Sequence, residues 1–68
     1  RKMKASKFER LVHQLVAAEN TVRHSKDPNE VRLAEQKIEE ITELCIKDGP
    51  DTLFRLDALV QKILDEKF

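Results

Sequence analysis

The sequence predicts an all-α fold, a small antiparallel bundle of three helices running up, down and up. Apolar residues recur every three or four positions through three successive segments. Two proline-containing breaks separate those segments. The composition, 38% charged and 40% hydrophobic with one Gly and no Trp or Tyr, is that of helix bundles rather than of a disordered chain. At 68 residues there is room for one domain around one small core.

The first helix is expected near residues 5–25. Phe8, Leu11, Leu15, Ala18 and Val22 step along one face, and Val12 and Val16 widen it. At about 100° per residue they share an arc of about 160°. The break at Ser25-Lys26-Asp27-Pro28 then starts the second helix, near 28–47. Pro28 suits a first helical position and Asp27 a cap before it. Glu30, at the third position, completes a box-like start.

In that second helix Val31, Ala34, Ile38, Ile41 and Cys45 form the apolar stripe, with Leu33 and Leu44 on its flank. Gly49 and Pro50 end it, because glycine takes the left-handed conformation that closes a helix and proline resists its continuation. The third helix, near 51–67, is expected to be capped by Asp51 or Thr52. Leu53, Leu56, Val60 and Ile63, joined by Leu59 and Leu64, form its stripe. Short connections between three amphipathic helices favour antiparallel packing around about twenty core positions.

Net charge is zero but unevenly distributed. Arg1, Lys2, Lys4, Lys7 and Arg10 face a single acid, Glu9, in the first ten residues. Residues 27–48 carry seven acids against Arg32, Lys37 and Lys47. Antiparallel packing brings the basic start beside the acidic second half of helix 2, a weak attraction of at most about 1 kcal/mol per exposed pair. The chain opens on Arg1, with Met3 its one methionine, and is expected to be a piece of a longer protein. A lone cysteine forms no internal disulfide, which points to an intracellular, cytoplasmic or nuclear setting. No apolar run approaches the roughly 20 residues that span a bilayer, so no membrane partner is expected.

The sequence points away from catalysis and from any cofactor. His13 and His24 are eleven residues apart, about 16 Å along the helix, too far to share a metal ion. Cys45 lies on the core stripe, where an unliganded cysteine is simply buried. Glu35, Glu39 and Glu43 step by four with Glu40 beside them, opposite the stripe. Acid–base chemistry needs a cleft that desolvates a carboxyl, which a convex helix face does not provide. One glycine cannot build the common phosphate-binding loops, and a calcium site takes its oxygen ligands from a Gly-containing loop, not from a regular helix. The glutamates therefore read as a solvated face or as a docking face for a basic partner protein.

Phe54 and Ala58 fall outside the apolar arc of helix 3, and Ile46 falls off that of helix 2. Phe54 either covers the end of the bundle or, with Ile46, offers an apolar patch to a partner. The leading expectation is a protein-interaction module, adaptor or regulatory in kind, that meets its partner through Glu35, Glu39, Glu40, Glu43, Phe54, Arg55 and Lys62. The alternative is nucleic-acid binding through Lys2, Lys4, Lys7 and Arg10. Against it stands a shortage of stacking aromatics, since Phe8 belongs to the core stripe and only Phe54 and Phe68 remain. A self-associating structural bundle, a homo-oligomer, is a third reading.

The stretches Ile38-Glu39-Glu40-Ile41 and Ala58-Leu59-Val60-Gln61-Lys62-Ile63-Leu64-Asp65-Glu66 resemble the last two helices of short BAG-type co-chaperone domains. The resemblance covers well under half of the chain. It implies a three-helix bundle and, as partner, the nucleotide-binding domain of a heat-shock chaperone met through the last two helices. Where that family carries an Arg-Lys pair before the apolar run, this chain has Leu56-Asp57, so the family's contact pattern is not reproduced.

Overall fold

A computed structural model describes residues 3–67; the expectations that fall on Arg1, Lys2 and Phe68 lie outside them. Three helices follow one another, α1 (Ala5–His24), α2 (Pro28–Asp48) and α3 (Pro50–Lys67), and each packs against the other two. The start of α1 lies beside the α2–α3 turn, and the second half of α1 lies beside the first half of α2. The order is therefore up, down, up, as the short connections require.

The start of α1 has little local support. Lys4 offers no side-chain cap, and the first turn holds no acid, so Lys4 and Lys7 oppose the positive end of the helix dipole. Tertiary packing supplies what the cap does not, with Met3 and Phe8 laid against the core. At the other end the Ser25 amide donates to the Thr21 carbonyl at 2.8 Å, and Arg23 and His24 occupy the last turn, where positive charge suits the dipole.

Asp27 caps α2 as its sequence position predicts, accepting from the Asn29 amide at 2.9 Å. The expected box closes differently. The Asp27 amide donates to the Ser25 hydroxyl at 3.2 Å, and that hydroxyl donates to Glu30 at 2.8 Å. Ser25 thus stands between the two ends of the box and ties the connection to the helix it starts.

The α2–α3 connection is a single residue. Gly49 donates its amide to the Cys45 carbonyl at 3.0 Å and adopts φ 150° and ψ 152°. That is not the ordinary left-handed helix cap but a more extended region that is essentially open to glycine alone. Pro50 takes the first position of α3, one residue earlier than expected. Thr52 does not cap a backbone amide: its hydroxyl donates backward to Asp48 Oδ2 at 2.6 Å.

Ten apolar side chains are buried among the described residues, led by Ile41, Leu56, Leu64, Val60 and Cys45 at 1% exposure or less. Phe8, Val16, Ile38, Leu53 and Ile63 are half-buried against them. The buried set is half of the twenty positions the stripes suggest. Leu59, assigned to the third stripe, is 42% exposed. Three helices of this length close over the middle of each stripe and leave its flanks in contact with water.

Candidate functional site

Glu35, Glu39 and Glu43 are all exposed on α2, and the i, i+4 spacing keeps them within about 80° of arc. Ile46, 55% exposed, falls seven residues after Glu39 and so within about 20° of it. The ridge is thus three carboxylates ending in an aliphatic side chain. Glu40 stands at its edge, about 100° from Glu39 and about 60° from Glu43 by the helical rotation; it borders a hollow with Glu43 and pairs with Lys37 at 3.8 Å. Of the attraction expected between the basic start and the acidic helix, the described residues show only a minor effect of Lys7 on Asp48.

Phe54 is 76% exposed, so it does not cover the end of the bundle. It stands at the edge of a hollow of about 630 Å³ between the start of α1 and the start of α3. Met3, Ala5 and Phe8 supply apolar surface there, and Glu9, Asp48 and Asp51 supply carboxylates. The Arg55 guanidinium lies 5.4 Å from the centre of the Phe8 ring, a cation–π distance. Ile46 and the ridge glutamates do not line this hollow, so the acidic ridge and Phe54 form two surfaces. Lys62, also exposed, lies seven residues beyond Arg55 and continues its side of α3.

Asp48 organises the hollow. The Thr52 hydroxyl above all holds its carboxyl below the ordinary value; burial opposes it next, and the Met3 amide and the charge of Lys7 add smaller lowering effects. A carboxyl lowered in the fold stabilises above its unfolded pKa, and that contribution is lost as the pH falls through the folded value. Asp48→Asn is therefore expected to lower the thermal midpoint at neutral pH. The gap to the parent should close at strongly acidic pH, where both side chains are neutral. A gap that persists unchanged there would remove the charge from this account.

Cys45 is fully buried, and burial first, then the nearby Asp48 charge, pushes its thiol up. Such a thiol is a poor nucleophile and a poor ligand. His13 and His24 are exposed. Among the described residues no three His, Cys, Asp or Glu side chains converge to hold a metal ion. Nor is any helix among them long and apolar enough to cross a membrane. Of the basic set, Lys4, Lys7 and Arg10 are exposed, and Lys2 lies outside the described residues.

Sequence reasoning missed the hollow because its walls come from residues far apart in the chain. Phe8 reads as core and Asp48 as a helix end, and the packing of α1 against α2 and α3 brings them together. The unexplained Phe54 was the one local signal pointing there. No protein-family model, no curated protein and no solved structure matches the chain, so the co-chaperone resemblance gains no support from these comparisons.

Proposed function

We propose that this domain is a non-catalytic interaction module that receives another protein on the outer faces of α2 and α3. The observation that carries the reading is Phe54, a large aromatic held 76% exposed beside an apolar hollow edged by carboxylates. Its backbone is fixed by the Gly49–Pro50 turn and by the Thr52–Asp48 hydrogen bond. An aromatic presented on a rigid helix start loses little entropy on binding, and such residues dominate interface energetics. The carboxylates of the hollow and the ridge of Glu35, Glu39 and Glu43 favour a basic partner.

Phe54→Ser is expected to abolish specific capture of the partner and leave the far-ultraviolet helical spectrum unchanged. Glu39→Lys with Glu43→Lys should weaken capture and make the remainder less sensitive to salt. Capture that survives all three substitutions would rule out these surfaces. The nucleic-acid reading has less support, since Phe8 is half-buried beneath Arg55 and unavailable for base stacking.

A further inference from the structure

Glu30, Leu33, Lys37, Glu40, Leu44 and Lys47 follow one another along α2 at steps of three, four, three, four and three. That is heptad spacing, and it holds the six side chains within about 100° of arc. All six are exposed, Leu33 at 65% and Leu44 at 41%. The stripe runs beside the seam of Ala34, Ile41 and Cys45 that α2 buries in the core. Among the described residues, α2 thus carries a second seam left largely open to water.

We propose that this second seam pairs with itself in a two-fold antiparallel dimer. The sequence along it is complementary to its own reverse. A two-fold axis passing between Ile38 and Glu39 sets Leu33 opposite Leu44 of the second copy, Lys37 opposite Glu40, and Glu30 opposite Lys47. Every layer is then leucine on leucine or cation on anion, and each residue meets its complement twice, as an isologous interface requires. Other alignments fail on charge. A slip of one heptad sets Glu30 against Glu40, or Lys37 against Lys47, and a parallel pair sets every charge against its own kind.

The surroundings of the seam admit a second helix. On α1, Gln14, Ala17 and Thr21 are short or flexible neighbours, and with Leu33 they border a hollow of about 490 Å³. A second hollow of about 250 Å³ lies by Leu44 and Lys47. The Lys37–Glu40 pair, 3.8 Å apart within one chain, already holds both side chains on this face. In the dimer it becomes a ring of four alternating charges around the axis. Lysine stems on either side extend the apolar contact of the leucines. With two leucines per chain the association is weak, in the range of transient interfaces. The dimer leaves Glu35, Glu39 and the Phe54 hollow free on both copies, with Glu43 at its edge beside Leu44, so it stands largely apart from the proposed function.

Sedimentation from low micromolar to millimolar protein tests this. The parent should move from monomer toward dimer mass as concentration rises. Lys37→Glu alone surrounds the axis with carboxylates, and Glu40→Lys alone surrounds it with ammonium groups. Each variant should stay monomeric at the parent's helical content. An equimolar mixture of the two should form a heterodimer, and the double variant Lys37→Glu/Glu40→Lys should regain self-association. A parent that stays monomeric at millimolar concentration overturns the proposal. Single variants that dimerise as the parent does, or a mixture that fails to pair, overturn it equally.

Discussion

Replacing Leu56 with alanine is expected to cost about 2–5 kcal/mol, the range for deleting a fully enclosed leucine and leaving a cavity. Leu56 has no exposed surface, and the cluster it belongs to includes Ile41, Cys45, Val60 and Leu64, each at 1% exposure or less. A domain of this size rarely holds more than about 3–5 kcal/mol in total. The variant should therefore be largely unfolded at ambient temperature, with its helical circular dichroism lost. Leu59→Ala makes the same chemical change at a side chain that is 42% exposed. It should cost less than about 1 kcal/mol. Equal losses at the two positions would mean that the core is not where the structure puts it.

The second large effect is expected at Gly49. Its φ of 150° lies in a region that L-residues rarely adopt, yet a Cβ there would meet no atom within 4 Å. The cost of Gly49→Ala is thus backbone strain without steric conflict, about 1–3 kcal/mol. A D-alanine introduced by chemical synthesis should recover most of the loss, since its preferred backbone is the mirror image. A chemical denaturation series of glycine, L-alanine and D-alanine proteins separates the two causes. An L-alanine protein as stable as the parent would show that the one-residue connection is not strained.

Much of the fold is legible in the sequence because its signals are local. Asp27-Pro28 and Gly49-Pro50 each place a helix boundary within about one residue, through cap chemistry and the geometry of proline and glycine. The centres of the stripes at Leu15, Ile41, Leu56 and Val60 follow from the period alone. Their edges do not. Periodicity tells which way Leu59 or Leu33 points, but not how far a neighbouring helix reaches across it. The same limit hid the candidate site. Glu35, Glu39 and Glu43 form the predicted ridge because they belong to one helix. Glu40 sits at its edge, about 60° of rotation from Glu43, and pairs with Lys37. The hollow beside Phe54 depends on Asp48 accepting from Thr52 and lying near the Met3 amide, contacts that no spacing rule announces.

These placements also bear on how the surfaces would work together. The ridge and the hollow lie on different helices, so one partner spanning both would need an extended contact across α2 and α3. In a dimer through the Leu33–Leu44 seam each surface is presented twice. A bivalent partner would then bind more tightly than either contact alone allows.

The most direct measurement of the bundle itself uses its single thiol. Cys45 is enclosed only when all three apolar seams close on one another. Labelling by a small thiol reagent in dilute buffer should run about two to three orders of magnitude slower than in denaturant, and it should accelerate along the unfolding curve. A thiol that reacts in native buffer as fast as in denaturant would contradict the arrangement of the helices.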